Sequence, residues 1–227
     1  MKIINAGYEI IRPHIDGPEA RDAIYQLIEQ AGRTCYKSED KITPESAAKF
    51  VTSIVKRGHE AMLEHASMTV KFIVDRGVSH ELVRHRLFSF AQESTRYCNY
   101  SNEKFGSEIT VIKPCFYQEY SEEYDLWKAA TENAEYKYFQ LLNAGSTPQE
   151  ARSVLPNSLK TEVVVTGNMR EWRHFFRLRA AGETGAPHPQ MAEVAIPLFK
   201  AVRDYMPELF GDIKLQEEDP DDKRSQG

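Results

Sequence analysis

The segment Met68–Val74 constrains the fold more than any other part of the chain. Its apolar residues Met68, Val70, Phe72 and Val74 fall at every second position. Successive side chains of a strand point to opposite faces, so this alternation is typical of a β-strand with one face firmly buried. The sequence therefore predicts a sheet that packs against other elements.

Apolar residues at helical spacing predict several helices in the rest of the chain. The predicted helices cover about 16–32, 43–58, 79–87, 121–144, a short piece from 147, 168–179 and 189–205. Ser79 is the expected N-cap of the third of these helices. Shorter apolar runs predict strands at 2–12, 109–113 and 163–165, and residues 89–102 are predicted to form a loop. The expected fold class is α/β (α+β), a mixed sheet with several long helices. Residues 1–215 are predicted to form a single domain and 216–227 a charged, disordered tail.

Composition limits the classes of function. The chain has 227 residues, 41% of them hydrophobic, with a net charge of −5. It is long enough for a substantial core, and its acidic balance argues against a protein that coats nucleic acid. Three cysteines without CxxC spacing argue against a disulfide framework and favour a reducing cytoplasm. No apolar run has the roughly 18 residues of a membrane span, so we expect no membrane partner.

Arginine and small polar residues are concentrated between positions 84 and 96. The polar members of this segment are Arg84, His85, Arg86, Ser89, Gln92, Glu93, Ser94, Thr95 and Arg96. Each guanidinium can donate two parallel hydrogen bonds to an oxyanion, so the segment indicates a phosphate site. The alternative is a solvated surface in which Arg84 pairs with Glu81.

A second cluster lies on the helix predicted over 168–179. One face carries Met169, Trp172, Phe175 and Phe176, and the opposite face carries Arg170, Arg173 and Arg177, which are expected to be solvated. Arg179 projects onto the apolar side. A buried guanidinium needs a partner, so Arg179 must contact a carboxylate, a backbone cap or an anionic ligand. A structural ion pair is the alternative to a ligand.

Metal and glycine-rich nucleotide motifs are absent from the sequence. The pairs His59/His65 and His80/His85 are six and five residues apart, whereas a helical zinc motif needs a spacing of four. We therefore expect no metal. Neither GxGxxG nor GxxxxGK[ST] occurs, so a bound pyrophosphate would have to be neutralised by side chains.

The arginine motif resembles the signature of the flavin-dependent thymidylate synthases, the ThyX family. It consists of Arg84-His85-Arg86, seven residues, then Ser94 and Arg96. Further blocks at 31–36, 58–65, 151–156 and 168–179 are similar to the family in the same order, so the resemblance spans about 30–205.

The resemblance implies reductive methylation of dUMP to dTMP. The carbon donor would be 5,10-methylenetetrahydrofolate, and FAD reduced by NADPH would carry the hydride. It also implies a ThyX-like fold and a homotetramer whose sites are shared between subunits, with no metal and no nucleic acid partner.

The resemblance also assigns site residues. FAD would contact His59, Ala61, Glu64, Arg84, His85, Arg86, Gln92, Asn168, Arg170 and His174. The nucleotide would contact Glu81, Arg84, Gln92, Glu93, Ser94, Thr95, Arg96, Arg152 and Arg179. Arg179 is the candidate catalytic residue, because a guanidinium at N3 and O4 of uracil pushes electron density towards carbon 5.

This sequence departs from the family at three of these positions. Ala61 stands where many relatives carry Ser or Thr, so a hydroxyl contact with the flavin is lost. Glu81 and Gln92 exchange the Gln and Glu that are common there, which moves a negative charge within the nucleotide site.

Two other functions compete with the enzyme. Interleaved arginine and aromatic residues, including Arg84, Phe88, Arg96 and Tyr97, are compatible with a single-stranded nucleic-acid binder, but the negative charge of the chain opposes it. A catalytically inactive relative that senses nucleotide is the second alternative, and the retained Arg179 and flavin positions oppose that one.

Overall fold

The structure is a computed structural model, and it describes residues 1–98, 100 and 106–216. Its strands are β1 (Lys2–Ile4), β2 (Gly7–Arg12), β3 (Ser67–Asp75), β4 (Ser89–Gln92), β5 (Thr110–Ile112) and β6 (Lys160–Asn168). Its helices are α1 (Pro18–Tyr36), α2 (Ser46–Lys56), α3 (Arg76–Leu82), α4 (Glu122–Asn143), α5 (Pro148–Ala151), α6 (Met169–Arg179), α7 (Pro189–Tyr205) and α8 (Pro207–Phe210). Short 3-10 segments occupy Glu39–Lys41, Glu60–His65 and Arg152–Val154. The predicted mixture of helices and sheet is confirmed.

The described strands form two sheets. Four of them are hydrogen-bonded in the order β2-β3-β6-β4, and β1 pairs with β5 in parallel. As predicted, the alternating residues of β3 are buried, and Phe72 is 0% exposed. Among the described helices, none is both long enough and apolar enough to cross a membrane.

The N-cap of helix α3 lies four residues before the predicted one, and the helix ends at Leu82 and not at about 87. Ser79 was the expected N-cap, but it lies inside the helix and its hydroxyl donates to the carbonyl oxygen of Arg76. The N-cap is Asp75, whose Oδ1 accepts from the backbone N–H of Val78 at 2.6 Å. A carboxylate at the end of a buried strand caps the helix directly, so Arg76 becomes its first residue.

Three strand predictions differ from the structure. The single strand predicted over 2–12 is two strands, β1 and β2, which belong to different sheets. The predicted loop over 89–102 begins with strand β4, which pairs with β6 at the edge of the sheet. Strand β6 covers nine residues and not three, because its buried positions include Thr161 and Gly167 beside the central valines. A polar residue and a glycine do not contribute to an apolar run, so the strand predicted from the sequence was too short.

The described chain divides into two compact units, and the boundary falls within strands β2, β3, β4 and β6. Unit 1 contains 1–8, 72–84 and 90–164, and unit 2 contains 9–71, 85–89 and 165–227. The prediction of a single domain over 1–215 stays a prediction. The predicted tail lies outside the described residues except for Gln216, whose side-chain amide donates to the carbonyl oxygen of Gly182 at 3.3 Å.

The core of unit 1 forms between β5, α4 and the residues before β6. Its buried members are Tyr100, Ile109, Val111, Tyr138, Ala151 and Leu159.

Helix α4 was predicted over 121–144, and Ser121 caps it by accepting from the backbone N–H of Tyr124.

The core of unit 2 contains an aromatic cluster on α6. Trp172, Phe175 and Phe176 are each 0% exposed, and the ring of Phe88 lies 4.6 Å from that of Trp172. Gly167 allows this packing, because a Cβ atom at that position would lie 2.1 Å from Cδ1 of Phe88. The apolar face predicted for 168–179 is therefore buried.

Arg173 corrects the expectation for the opposite face of α6, because it is 0% exposed and not solvated. Its Nη2 lies 2.7 Å from Oδ2 of Asp212, its Nε lies 3.1 Å from Oε1 of Glu60, and its Nη1 donates to the carbonyl oxygen of Leu209. The helical period alone indicates solvent on this face. The acids that cover it come from segments distant in sequence.

Candidate functional site

The predicted site residues fall into two groups, one in each unit. Unit 1 contains Glu81, Arg84, Gln92, Glu93, Ser94, Thr95, Arg96 and Arg152. Unit 2 contains His59, Ala61, Glu64, His85, Arg86, Asn168, Arg170, His174 and Arg179.

A cationic cleft of about 540 Å³ opens in unit 1. Arg76, His80, Thr95 and Arg152 line it together with Ser153. The structure brings two predicted nucleotide residues into contact here, since Nη1 of Arg152 donates to the hydroxyl of Thr95 at 3.2 Å. None of the described residues that line the cleft is acidic. Two guanidinium groups without a lining carboxylate suit an anion such as phosphate.

Arg76 is a site residue that the sequence analysis missed. Its Nη1 is buried and has no hydrogen-bond partner among the described residues. A buried, unsatisfied guanidinium nitrogen is costly, and an anion in the cleft would remove that cost. Arg76 and His80 are four positions apart on α3 and therefore lie on the same side of the helix. The four-residue spacing of Arg76 and His80 could have indicated a shared helix face. The sequence analysis did not use it because the helix was expected to begin at Ser79, after Arg76.

Two predicted nucleotide residues have fixed partners within unit 1. The side-chain amide nitrogen of Gln92 donates to the hydroxyl groups of Ser79 at 3.0 Å and Thr161 at 3.2 Å. Oε2 of Glu93 lies 3.1 Å from Nζ of Lys160. These contacts fix the orientation of the Gln92 amide at the end of β4, where its Oε1 is the remaining polar atom.

The turn after β4 places Ser94 and Arg96. The backbone N–H of Arg96 donates to Oγ of Ser94 at 3.3 Å, and the N–H groups of Tyr97 and Cys98 donate to the Ser94 carbonyl oxygen. No described imidazole is hydrogen-bonded to Ser94, which favours a binding role over a nucleophilic one.

The remaining arginines of the signature are not neutralised by described side chains. Arg84, Arg86 and Arg96 are exposed, and none of them forms an ion pair with any residue that the structure describes. The ion pair between Arg84 and Glu81, which was the alternative to a ligand site, is therefore not formed. Glu81 itself is partly buried on α3.

In unit 2, ion pairs hold the Glu60–His65 segment against α6. Oε1 of Glu60 lies 3.1 Å from Nε of Arg173 and 3.5 Å from Nη1 of Arg177. Oε1 of Glu64 lies 2.6 Å from Nη1 of Arg170, so two predicted flavin residues are in contact. This packing sets the positions of the neighbouring predicted residues His59 and Ala61.

The predicted flavin residues of unit 2 present polar groups that fit FAD. His59, Arg86, Arg170 and His174 are exposed. Two guanidinium groups suit the pyrophosphate, and imidazole nitrogens can hydrogen-bond the edges of heteroaromatic rings. Ala61 is also exposed and offers no hydroxyl. Asn168 has a structural role as well, because its Oδ1 caps α6 by accepting from the N–H of Glu171 at 2.9 Å.

Arg179, the last residue of α6, is partly buried and contacts the histidine of the signature. Its Nε donates to Nε2 of His85 at 3.1 Å. His85 is 4% exposed. Burial lowers the pKa of His85 to about 4, and the charges of Arg179 and His174 add to the effect. At neutral pH His85 is therefore an uncharged hydrogen-bond acceptor for Arg179.

Within residues 1–98, 100 and 106–216, no three or more His, Cys, Asp or Glu side chains are grouped so that they could hold a metal ion.

Comparison with known proteins places the chain in a family. The family model for thymidylate synthase complementing protein matches residues 20–208. The flavin-dependent thymidylate synthase of Corynebacterium glutamicum is 34% identical over 220 residues, covering 89% of this chain and 82% of that protein. The enzyme of the same name from Corynebacterium aurimucosum is 36% identical over 207 residues, covering 83% of this chain and 80% of that protein.

A solved structure supports the fold independently. The UMP/dUMP methylase PolB from Streptomyces cacaoi, bound with 5-Br dUMP, aligns with a TM-score of 0.74 at 22% identity. The alignment covers 93% of this chain and 96% of that one. The match of the family model over most of the chain confirms the resemblance seen in the arginine motif, and the chain belongs to the family of the flavin-dependent thymidylate synthases, which are enzymes.

Proposed function

We propose that the chain catalyses the reductive methylation of dUMP to dTMP. In this proposal 5,10-methylenetetrahydrofolate supplies the carbon, and FAD reduced by NADPH supplies the hydride. The family supports the reaction class. The names of the relatives specify a flavin and thymidylate synthesis, and the PolB structure contains a dUMP analogue.

One observation carries the proposal, namely a set of guanidinium groups that described acids do not neutralise. Arg76 and Arg152 line a cleft without a lining carboxylate, and Arg84 and Arg96 are exposed and unpaired among the described residues. A nucleotide monophosphate brings a dianion and supplies the missing charge. We propose that the cleft holds the phosphate, with Thr95, Ser94 and Arg152 among its donors.

Arg179 has the proposed catalytic role. Its guanidinium would donate to O4 and N3 of uracil and stabilise the charge that develops when carbon 5 acts as a nucleophile. A partly buried position strengthens such an interaction relative to bulk water. Its contact with an uncharged imidazole leaves the positive charge of the side chain in place.

We propose that the exposed polar residues of unit 2 would hold FAD, which would supply hydride chemistry when bound. Arg86 and Arg170 would neutralise the pyrophosphate. His59, His174 and Asn168 would hydrogen-bond and orient the remaining polar edges. No hydroxyl is available from Ala61.

We further propose a homotetramer in the cytoplasm, with active sites to which different copies contribute residues. The sequence contains three cysteines, Cys35, Cys98 and Cys115, without CxxC spacing, which is consistent with a reducing compartment. Mixing an Arg152→Ala chain with an Arg179→Ala chain tests the sharing of sites. Recovery of activity in the mixed oligomer supports shared sites, and a mixture as inactive as its components contradicts them.

The test of the function uses purified full-length protein with FAD, NADPH, dUMP and isotopically labelled methylenetetrahydrofolate. We expect a flavin absorbance spectrum and label in dTMP. Arg179→Ala should keep the flavin and lose dTMP formation. A protein that binds flavin and dUMP but forms no dTMP, or an Arg179→Ala variant with unchanged turnover, would overturn the corresponding assignment.

A further inference from the structure

The contact between Arg179 and His85 fixes a tautomer. A guanidinium nitrogen can only donate, so Nε2 of His85 must present its lone pair to Nε of Arg179 across their 3.1 Å separation. The proton of the neutral imidazole therefore sits on Nδ1. The opposite tautomer would direct two N–H groups at each other.

Glu171 stands at the other side of the ring. Its Oε1 lies 3.5 Å from Nδ1 of His85, and the residue is 5% exposed. Glu171 is the third residue of α6, and the cap by Asn168 fixes its backbone. A carboxylate beside Nδ1 favours the proton on that nitrogen, in the way that acceptors behind other functional histidines set the tautomer.

The surroundings of His85 keep it neutral and hold its plane. The rings of Phe175, Phe88 and His174 lie 5.1, 5.8 and 5.9 Å from the ring of His85. Burial is the largest cause of the lowered pKa of His85, followed by the charge of Arg179. A charged imidazolium here would lose its acceptor atom and repel Arg179.

We propose that Glu171 and His85 form a positioning relay for Arg179. Glu171 holds the proton on Nδ1, Nε2 therefore accepts from Nε of Arg179, and this anchor fixes the plane of the guanidinium and the direction of its two Nη groups. The inference rests on the proposed role of Arg179. It goes beyond the flavin contact that the family resemblance implies for His85, and it gives Glu171 a role that the sequence did not suggest.

An anchor of this kind has a purpose at a catalytic arginine. The side chain has several rotatable bonds, and Arg179 lies at the end of its helix, where α6 stops. Misplacement of a catalytic group by about 1 Å can reduce the rate about 100-fold. Positioning groups therefore affect turnover more than the affinity for substrate.

Three variants separate positioning from packing. His85→Leu removes both ring nitrogens. His85→Gln keeps a carbonyl oxygen that can accept from Arg179 and an amide N–H that can donate to Glu171. Glu171→Gln keeps the shape, but its amide can donate to Nδ1 and shift the imidazole proton to Nε2, against Arg179.

We expect kcat for dTMP formation to fall about 100-fold in His85→Leu and Glu171→Gln, with KM for dUMP changed less than about threefold in both and flavin content changed less than about threefold in Glu171→Gln. His85→Gln should retain activity within about tenfold of the natural protein. The relay is overturned if Glu171→Gln keeps full kcat, or if KM and flavin content change in parallel with kcat in every variant.

The tautomer provides a readout that does not need activity. In protein labelled with ¹⁵N-histidine, we expect the His85 resonances of a neutral ring protonated on Nδ1 at pH 7, and protonation on Nε2 in Glu171→Gln. A ring protonated on Nε2 or doubly protonated in the natural protein would refute the relay. Absence of dTMP formation with the expected tautomer would instead refute the proposed function.

Discussion

Arg152 and Thr95 meet across 3.2 Å in the cleft of unit 1, where the arginine donates to the hydroxyl group. Both are predicted nucleotide residues, and both line the cleft. Under the proposed function, Arg152→Gln removes a charged hydrogen bond to the phosphate. We expect dUMP affinity to fall by about 1.5–3 kcal/mol, measured by calorimetry.

Deoxyuridine provides the control for this prediction, because it lacks the phosphate. Its affinity should change little in Arg152→Gln, and Thr95→Val should weaken dUMP binding by only about 1 kcal/mol. Equal losses for nucleotide and nucleoside would show that Arg152 does not contact the phosphate.

Removal of an acid that neutralises Arg173 should destabilise the fold. Arg173 is fully buried, and Asp212 forms two hydrogen bonds with it at 2.7 Å. Asp212→Ala removes these two hydrogen bonds but leaves the contacts of Arg173 with Glu60 and the carbonyl oxygen of Leu209. Because the Asp212 side chain is itself 43% exposed, we expect a loss of about 1–3 kcal/mol in urea unfolding. The exposed Asp204 beside Arg203 is the matched control, and Asp204→Ala should cost less than about 1 kcal/mol.

The buried His85 should make stability depend on pH. Its pKa is about 4 in the folded protein against an ordinary value of 6.5. Between these values the unfolded chain binds a proton that the folded chain does not bind, so the free energy of unfolding should fall as the pH decreases from about 6.5 to about 4. The total fall in the free energy of unfolding is roughly 2–4 kcal/mol, and above about pH 7 His85 causes no loss of stability.

The comparison with His85→Gln isolates this contribution. Burial raises the pKa of the neighbouring Glu171, which acts in the opposite direction, but Glu171 is present in both proteins. Arg179 and His174 also face His85 and are likewise shared. Stability curves that stay parallel from pH 7 to pH 4 would show that His85 titrates normally.

Gly167 should be intolerant of even a methyl group. A Cβ atom there would lie 2.1 Å and 2.3 Å from two atoms of the Phe88 ring, which packs against Trp172. Overpacking in a dense core costs about 1–3 kcal/mol, and we expect that loss for Gly167→Ala in urea unfolding. Gly7→Ala is the control, because no heavy atom lies within 4 Å of its added Cβ, and it should change stability by less than about 0.5 kcal/mol. Equal effects of the two substitutions would contradict the packing argument.

Local patterns predicted much of the fold. The alternation in β3 and the apolar face of α6 depend on neighbours in sequence, and both were predictable. The burial of Arg173 was not, because the acids that neutralise it, Glu60 and Asp212, lie far away along the chain. The edge strand β4 was missed for the same reason, since only its pairing with β6 reveals it.

The candidate site likewise contains residues that the sequence predicted and contacts that it could not predict. The arginine motif and the further blocks that are similar to the family predicted Arg152, Thr95 and Arg179 through the resemblance. Composition and spacing could not reveal that Arg179 contacts His85, or that Glu171 stands behind that ring. Arg76 depends on where α3 begins, and a capping aspartate at the end of a buried strand moved that start by a full turn.

The cap at Asp75 also makes the cleft sensitive to insertions and deletions in α3. Because Arg76 opens α3 and His80 lies four residues further on, one residue inserted between them would rotate Arg76 by about 100° around the helix axis relative to the rest of the cleft. Substitutions that keep the charge are therefore milder there than insertions or deletions. Natural variation in chain length should accordingly avoid positions 76–80 and accumulate elsewhere.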